Sequence, residues 1–534
     1  MKHGPLIRLL TLVLLASAVP TAAGPLRVED GSPSQRERDA RATIPTPECS
    51  VTEHTMLVQG RPIRYRATAG YLPIQQDSGE PLAHIFFIAY ERLDAVDVGN
   101  APNPQSAIRN PQSIHRPLTF AFNGGPGASA VWLHVGGFGP KRAILANDGT
   151  SLPPSNRLVD NEHTWLEFTD LVFVDPVGTG FSRSGVGVDA RQFYEVQRDI
   201  EIAADFVRLF VTQHDRWLSP QFLVGESYGA ARAVSMARRL QDRYGLYVNG
   251  LILLSSALNL AVISFDPGND LPYALSLPSY TAVARYHGRL GERSTSDPER
   301  TLQRVQTWAL GDYLAALAQG RLLSPIQSRE IAKRLAEYTG LREDEITQNR
   351  LRINSIGFAQ GLLGREGQML GLLDGRVTAP NVSLPRRPWI DPSLFIVEGP
   401  FVATFNSYVR TQLGFKTDRP YIFLSDNANE SWNWGPADPD AQRRCGQGYF
   451  NIAPVLAELI GLDNRLRVFA AAGYYDLTTP YLSQEYVFNH LALPPGSEHN
   501  ITLRRYHAGH QIYTSQDALR QLTDDVRTWV PKRD

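Results

Sequence analysis

Short apolar runs without polar interruption recur along the chain and alternate with amphipathic segments. The runs are LVFVDP (171–176), QFLVGES (221–227), VNGLILLSSA (248–257) and LRVFAAAG (466–473). Such runs are typical of strands that are buried on both faces of a parallel sheet. The segment between the first two has apolar residues at helical spacing, namely Ile200, Ala203, Val207 and Phe210. The alternation predicts an α/β fold with a mostly parallel central sheet.

The pattern changes between residues 266 and 394, where helical spacing dominates and we identify no strand-like run. Asp297 and Ser324 each precede a proline, as N-caps do, and Gly320 and Gly340 stand where the two helices would end. This block is predicted to be a helical cap inserted into the sheet domain. The predicted division of the chain begins with a signal peptide (1–23) and a loose leader (24–50). The first part of the core (51–265), the cap (266–394) and the second part of the core (395–534) follow.

Residues 1–23 have the organisation of a secretory signal peptide. Lys2 and Arg8 provide the positive start, Leu9 to Val19 the apolar stretch, and Ala23 ends a small-residue cleavage site. The apolar stretch is too short to span a bilayer comfortably, although an uncleaved anchor is the alternative. The rest of the chain contains no apolar run long enough for a membrane span. The sequence therefore predicts export.

Composition limits the classes of partner. The 534 residues are 43% hydrophobic and 20% charged, and the net charge is −1. This balance favours neither nucleic acid nor a membrane surface, which leaves peptides or small molecules as substrates. Positive charge comes almost entirely from arginine, as in proteins of GC-rich bacteria, so export would lead to the periplasm or the medium. Export would permit a disulfide between Cys49 and Cys445, with two free thiols as the alternative, and the sequence leaves the oligomeric state open.

The pentapeptide Gly225-Glu226-Ser227-Tyr228-Gly229 matches the pattern G-x-S-x-G. It follows the predicted strand QFLV and precedes the helical pattern AARAVSMARRLQDRY. In this context the serine sits on a sharp turn and its hydroxyl can act as a nucleophile. The alternative is a glycine-rich turn with a surface serine.

A nucleophilic serine needs a base and a group that orients the base. Asp476 follows the strand LRVFAAAG, and His510 follows the possible last strand ITLRRY, which gives the order Ser, Asp, His found in α/β-hydrolases. His507 is the competing base. A metal site at the two histidines is the weaker alternative, because no cluster of carboxylates or cysteines accompanies them.

The reaction also needs hydrogen-bond donors for the oxyanion that forms on the attacked carbonyl. The backbone N–H of Tyr228, directly after the serine, is predicted to be one donor. The loop Asn123-Gly124-Gly125-Pro126-Gly127 is predicted to supply the second, because glycines let backbone amides approach a ligand closely. A plain Gly/Pro turn is the alternative for this loop.

Taken together, the stretches that contain these residues resemble the serine carboxypeptidase family (peptidase family S10). They are FNGGPGASAVWLHVGGFGP, VFVDPVGTGFSRS, FLVGESYG, GYYDLTTP and HAGHQIY. Most esterases would have HGGG in place of NGGPG, and prolyl aminopeptidases would have HGGPG. The resemblance covers about residues 80 to 260 and 400 to 520. It implies an α/β-hydrolase fold, removal of one residue at a time from the C-terminus of a peptide, and no metal or organic cofactor.

The resemblance also implies a role for each site residue. Ser227, Asp476 and His510 would form the catalytic triad, and the amides of Gly125 and Tyr228 would form the oxyanion hole. The remaining residues would hold the terminal carboxylate of the substrate, namely Asn123, Gly124 and Glu226. Two carboxyl groups share a hydrogen bond only if one is protonated, so the enzyme should bind peptides best in acid.

The sequence departs from the family pattern at several positions. The family's second glutamate, which hydrogen-bonds the first, corresponds to Gly137, and a family tryptophan corresponds to Ala121. The stretch DPVGTGFS is one residue shorter than its family counterpart. These departures leave two alternatives to a carboxypeptidase: an esterase or acyltransferase with the same triad, and a non-catalytic exported binding protein. They also leave open that Glu226 is a structural carboxylate satisfied by backbone amides.

Overall fold

The computed structural model describes residues 49–76, 78–93, 116–152, 155–291, 297–381, 391–435 and 449–530. The signal segment 1–23, nearly all of the leader and Cys445 lie outside the described residues, so the predictions on them stay predictions. The strands are β1 (Cys49–Val58), β2 (Arg61–Gln75), β3 (Pro81–Leu93), β4 (Leu118–Phe122), β5 (Lys141–Ala143), β6 (Leu158–Asp160), β7 (Asp170–Val174), β8 (Arg183–Ser184), β9 (Gln221–Glu226), β10 (Gly250–Leu254), β11 (Gln368–Leu370), β12 (Thr378–Pro380), β13 (Arg467–Gly473) and β14 (Ile501–Tyr506).

Ten strands of the described ranges form the main sheet, in the order β1-β2-β3-β7-β4-β9-β10-β13-β14, with β8 paired to β3. Strands β1, β2, β3 and β7 pair in antiparallel fashion, and every pairing from β7 through β4, β9, β10 and β13 to β14 is parallel. The predicted mostly parallel sheet is therefore confirmed. Each apolar run named above forms one of its central strands.

Helices cover the sheet on both faces. They are α1 (Val131–Leu133), α2 (Val196–Gln213), α3 (Tyr228–Tyr244), α4 (Leu271–Tyr286), α5 (Pro298–Trp308), α6 (Leu314–Gln319), α7 (Pro325–Thr339), α8 (Glu343–Gln348), α9 (Ser355–Gly361), α10 (Pro392–Thr411), α11 (Asp426–Glu430), α12 (Ala453–Leu462), α13 (Tyr481–Asn489) and α14 (Gln516–Trp529). Successive residues of β9 show that both faces of the sheet are covered. Leu223 belongs to an apolar cluster with residues of α2 and α3, and Val224 belongs to a second cluster with residues of α10 and α14. Burial on both sides explains why the central strands read as continuous apolar runs.

The block 266–394 contains the predicted helix caps. The Asp297 side chain accepts from the Arg300 N–H at the start of α5, and Ser324 forms a capping box with Gln327 at the start of α7. Gly340 ends α7 in the left-handed conformation. The segment predicted as one helix after Asp297 is instead broken by a π-helical turn at Ala309–Tyr313, which separates α5 from α6.

The expectation that no strand interrupts this block is wrong. Strands β11 and β12 pair in antiparallel fashion as a small hairpin. With three residues in each strand, neither is long enough to give a recognisable alternation of apolar and polar positions. The predicted boundary between residues 394 and 395 falls inside α10, which begins at Pro392.

The helices of the block share one apolar cluster with a residue of the sheet domain. Tyr280, Val305, Leu335 and Phe358 belong to this cluster, and so does Leu477, which directly follows Asp476. The inserted block is thus packed onto the carboxyl end of β13, next to the predicted catalytic aspartate. Within the described ranges, no helix combines the length and apolarity needed to cross a membrane.

Candidate active site

Ser227 lies at the turn between β9 and α3. Its backbone has φ 59° and ψ −124°, a region that non-glycine residues rarely occupy. The strained conformation is held in place by the packing of the preceding strand, since every residue of β9 is buried. This conformation is the one expected of a serine held on a sharp strand-to-helix turn.

Asp476 and His510 come together at the neighbouring end of the sheet. Asp476 follows β13 and His510 follows β14, and these two strands are adjacent and parallel. The His510 Nδ1 lies 2.7 Å from the Asp476 Oδ2. A carboxylate accepts hydrogen bonds, so Nδ1 carries the ring proton and Nε2 is left as an acceptor.

The Asp476 carboxylate is buried, and donors surround both of its oxygens. Oδ1 accepts from the backbone N–H of Thr478 at 2.8 Å and of Thr479 at 2.9 Å. Oδ2 accepts from the Thr479 hydroxyl at 2.7 Å and faces His510. Thr479 was not identified from the sequence, although it lies in the quoted stretch GYYDLTTP. Its hydroxyl is also 3.1 Å from the His510 Nδ1, so it helps to fix the ring.

His507, the competing base, lies elsewhere. Its ring stacks on Tyr474 with 4.9 Å between the ring centroids, and its Nδ1 is 3.4 Å from the Tyr475 hydroxyl. The residue is exposed. It is therefore His510, and not His507, that contacts Asp476.

Ser227 and His510 line one pocket together with Asn123, Gly124, Gly125 and Glu226. Ser227 is 8% exposed and His510 is 4% exposed, so the pocket reaches both side chains while most of each is shielded. Among the described residues, the Ser227 hydroxyl makes no direct hydrogen bond to the His510 ring. In unliganded hydrolases this bond is often long and shortens when substrate binds.

The loop that carries Gly124 packs directly against the serine. A Cβ placed on Gly124 would lie 2.5 Å from the Glu226 carbonyl oxygen, 2.8 Å from the Tyr228 backbone nitrogen and 2.9 Å from the Ser227 Cβ. Only glycine allows this approach. The backbone N–H of Tyr228 is the first in α3, where N–H groups have no intrahelical acceptor, and the close approach of Gly124 places its nitrogen beside the loop.

A buried ion pair supports this loop from behind. Arg232 donates from Nε to the Asp199 Oδ2 at 2.7 Å, and its Nη1 donates to the Asn123 carbonyl oxygen. The Tyr228 hydroxyl also donates to the Asp199 Oδ2, at 3.0 Å. One carboxylate thus fixes both the residue after the serine and, through Arg232, the start of the glycine loop. Neither Asp199 nor Arg232 was recognisable from the sequence, because nothing in a linear pattern joins positions on α2 and α3.

Glu226 is buried and lines the pocket. Its Oε1 accepts from the Asn123 Nδ2 at 2.9 Å, while its Oε2 is buried and has no hydrogen-bond partner among the described residues. The contact is with a side-chain amide, so the structure gives no support to a carboxylate held by backbone amides. Burial raises the pKa of Glu226 to about 7, against smaller lowering effects of the nearby His510 and of hydrogen bonds.

The pKa of His510 shifts upward. Burial lowers it, but the charge of Asp476 and the hydrogen bond to its carboxylate more than offset the burial, so the net shift is upward. Glu226 contributes in the same direction as Asp476. The two titrating groups of the pocket therefore influence each other.

The inserted block contributes to the pocket and to the position of the histidine. Leu373 and Leu394 form part of the pocket wall, beside Trp132 and Leu424 of the sheet domain. The Leu373 carbonyl oxygen also accepts from the His510 N–H at 2.6 Å. Sequence patterns did not indicate which residues of the block would reach the site. Among the described residues, no group of three or more His, Cys, Asp or Glu is placed to hold a metal ion.

Comparison with known proteins finds similarity to serine carboxypeptidases. The sequence model of the serine carboxypeptidase family (Peptidase_S10) matches residues 59–244, which include the glycine loop and Ser227 but not Asp476 or His510. Serine carboxypeptidase-like 51 of Arabidopsis thaliana is 31% identical over 218 residues, which cover 39% of this chain and 40% of the relative. The pheromone-processing carboxypeptidase KEX1 of Podospora anserina is 35% identical over 131 residues, or 23% of this chain and 19% of the relative. The chain thus spans less than half the length of these curated relatives.

A solved structure extends the likeness to nearly the whole chain. The crystal structure of Kex1(delta)p, a prohormone-processing carboxypeptidase from Saccharomyces cerevisiae, superposes with a TM-score of 0.52 and 16% sequence identity. The match covers 88% of this chain and 92% of that one. At this identity the likeness concerns the fold alone, and the α/β-hydrolase fold predicted from the sequence is confirmed.

Proposed function

We propose that the chain, which is similar to the serine carboxypeptidase family over residues 59–244, is a serine-type carboxypeptidase that releases C-terminal residues from peptides. The observation that carries the proposal is the position of Glu226. A carboxyl group with a pKa raised to about 7 lies in the same pocket as Ser227, beside the Asn123 amide. A carboxyl that stays protonated near neutral pH can donate a hydrogen bond to the terminal carboxylate of a peptide.

The proposed chemistry begins with Ser227. Its hydroxyl gives its proton to the His510 Nε2 as Oγ attacks the scissile carbonyl carbon, and Asp476 stabilises the imidazolium that forms. His510 then transfers that proton to the leaving nitrogen, the C–N bond breaks, and the peptide remains on Ser227 as an ester. Water then attacks the ester carbonyl and gives a proton to His510, which passes it to the Ser227 Oγ as the acyl C–O bond breaks and the shortened peptide leaves. The triad thus uses groups that the chain provides, together with water.

The proposed oxyanion hole consists of the Tyr228 and Gly125 backbone N–H groups. The close contact between Gly124 and the Tyr228 nitrogen supports this assignment, because it brings the glycine loop alongside the start of α3. Two preorganised donors at the developing negative charge typically contribute the largest part of catalysis in acyl transfer.

The proposed carboxylate site consists of Glu226, Asn123 and the Gly124 amide. Asn123 uses one hydrogen of Nδ2 on Glu226, and its Oδ1 accepts from the Leu133 N–H at 3.2 Å, so the side chain is held by contacts at both ends. We propose that the second hydrogen of Nδ2 is donated to the substrate carboxylate. Such a site binds the free C-terminal carboxylate, and the peptide bond of the last residue is then the one placed at Ser227 for cleavage.

The test compares a blocked dipeptide that has a free C-terminal carboxylate with its amide, as kcat/KM between pH 5 and 9. Glu226 is protonated below its pKa, so the value for the free acid should fall about tenfold per unit as pH rises above about 7. The amide does not need a protonated Glu226 and should not show this fall. Identical profiles for the two substrates would contradict the proposal.

Glu226→Gln is the matched variant for this test. A glutamine keeps an acceptor for Asn123 and offers a neutral donor to the substrate at every pH. We expect the variant to lose the fall above pH 7 and to retain the preference for the free acid. Ser227→Ala serves as the blank, because it removes the nucleophile and should abolish release of the C-terminal residue.

An esterase or acyltransferase with the same triad is the second candidate. The position of Gly137 favours it, because the second carboxyl expected by resemblance is missing there, and the pocket wall is apolar at Leu373 and Leu394. An enzyme of this kind would hydrolyse the ester and amide forms at least as well as the free acid. The substrate comparison described above therefore separates the two candidates.

We also propose that the chain is exported and that its inserted block limits access to the site. Export rests on the signal-like segment with its cleavage site near Ala23, and would place the enzyme in the periplasm or the medium. For residues 266–394, the support is the presence of Leu373 and Leu394 in the pocket wall. Sequencing the N-terminus of the secreted protein would test the cleavage site.

A further inference from the structure

Tyr513 is buried, is not among the residues that line the pocket, and plays no part in the chemistry proposed so far. It lies in a 3-10 turn, Ile512–Thr514, three residues after His510. Its ring occupies the space beside Gly137, since a Cβ on Gly137 would lie 3.0 Å from both the Cβ and the Cγ of Tyr513. A side chain at position 137 and the tyrosine ring therefore compete for the same space.

Two buried polar atoms near this ring have no hydrogen-bond partner among the described residues. They are the Tyr513 hydroxyl oxygen and the Glu226 Oε2. The two residues are close enough that the hydroxyl lowers the pKa of Glu226 and the carboxyl raises the pKa of Tyr513. Buried polar groups without partners are uncommon in proteins, so two that are near one another indicate an interaction that a small movement completes.

We propose that Tyr513 is a positioning residue for the Glu226 carboxyl, and that its hydroxyl donates to Oε2 from below while Oε2 faces the substrate carboxylate from the pocket side. The inference rests on the proposed carboxypeptidase function and goes beyond it. It names a phenol as the partner of Glu226, in place of the second carboxyl that Gly137 cannot supply. Tyr513 does not line the pocket, so it acts through Glu226 and does not touch the substrate.

The chemistry of the phenol suits this role. Burial and the Glu226 carboxyl raise the pKa of Tyr513 well above its ordinary value, so the hydroxyl is neutral and can donate throughout the working range. A second carboxyl could share one proton with Glu226 only in acid. A neutral donor favours the ionised form of Glu226 instead, which lowers its pKa. Tyr513 would thus set the upper pH limit for binding a free C-terminus.

The test is Tyr513→Phe, which keeps the ring beside Gly137 and removes only the hydroxyl. Without the donor, the pKa of Glu226 rises, and the fall of kcat/KM for a free-acid dipeptide should move upward by roughly 0.5–1 pH unit, the size expected for one buried hydrogen bond. With the amide substrate the pH profile should keep the shape seen in the wild type. A difluorotyrosine at position 513 is a stronger donor with nearly the same shape, and should move the fall downward.

Tyr280→Phe is the control for loss of a buried phenol. Tyr280 lies in the inserted block, where its hydroxyl is 3.3 Å from the Ser355 hydroxyl, and its removal should leave both profiles unchanged. If Tyr513→Phe and the difluorotyrosine variant both superpose on the wild type with the free acid, Tyr513 has no positioning role. If the wild type itself shows no fall that is specific to the free acid, the carboxypeptidase proposal fails instead. The two failures are therefore distinguishable.

Discussion

Asp476→Asn tests the orientation of the catalytic base most directly. In the wild type, Oδ1 accepts two backbone N–H groups, from Thr478 at 2.8 Å and from Thr479 at 2.9 Å. An asparagine has only one acceptor oxygen, and these two donors will hold it at the Oδ1 position. The amide NH2 must then occupy the Oδ2 position, 2.7 Å from the His510 Nδ1.

This exchange reverses the tautomer of His510. A donor facing Nδ1 requires a lone pair there, so the ring proton moves to Nε2, and Nε2 can no longer accept the proton of Ser227. The same change removes the negative charge that stabilises the imidazolium. In serine peptidases the corresponding exchange lowers kcat by about 10⁴-fold, and we expect a loss of that order here.

The assay is single-turnover acylation of the purified variant by an activated ester, with the thermal unfolding temperature measured in parallel. Because asparagine has the shape of aspartate and keeps both backbone contacts, unfolding should change by only a few degrees. Asp517→Asn, at an exposed position on α14, is the control and should acylate at the wild-type rate. A loss of less than tenfold in a folded Asp476→Asn protein would refute the assigned role.

Two further predictions concern the oxyanion loop and its support. Gly124→Ala places a methyl group 2.8 Å from the Tyr228 nitrogen and should lower kcat on an ester at least 100-fold, the size of a lost oxyanion donor, whereas an unchanged kcat would remove the loop from the site. Asp199→Asn leaves the buried Arg232 without its counter-ion and should lower the free energy of unfolding by about 3 kcal/mol in urea titrations. A loss below about 1 kcal/mol would show that the pair is not a main support.

The central strands and the helix caps could be predicted from the sequence because their causes are local. A strand such as β10 is buried on both faces and must be apolar throughout, and Ser324 satisfies N–H groups only three residues away. The motif around Ser227 was recognisable for the same reason, since one strand-turn-helix unit contains it. Asp476 and His510 could be predicted because each directly follows a strand of the parallel sheet, and parallel strands end at the same edge.

Other parts of the site depend on contacts that sequence spacing does not reveal. Tyr513 meets Gly137 across 376 positions, and Leu373 reaches the site only because the inserted block packs onto the loop after β13. The short hairpin β11–β12 was missed because its strands are too brief to show a period. Thr479 was missed because a threonine in a turn is common, and its importance comes from the contacts of its hydroxyl with Asp476 and His510.

The two titrating groups of the pocket, His510 and Glu226, must be in opposite protonation states for the proposed reaction. His510 must be neutral to accept a proton, whereas Glu226 must be protonated to hold a carboxylate. The required pair, neutral histidine with protonated glutamate, has the same number of protons as the ion pair of imidazolium and glutamate, so pH alone cannot convert one into the other. Their ratio depends on the difference between the two pKa values.

Burial of Glu226 favours the required pair, whereas Asp476 and the Tyr513 hydroxyl favour the ion pair. An incoming carboxylate adds negative charge beside Oε2 and shifts the proton toward Glu226, so a free-acid substrate itself promotes the form that binds it. An amide supplies no such charge, so its hydrolysis should require only that His510 is neutral.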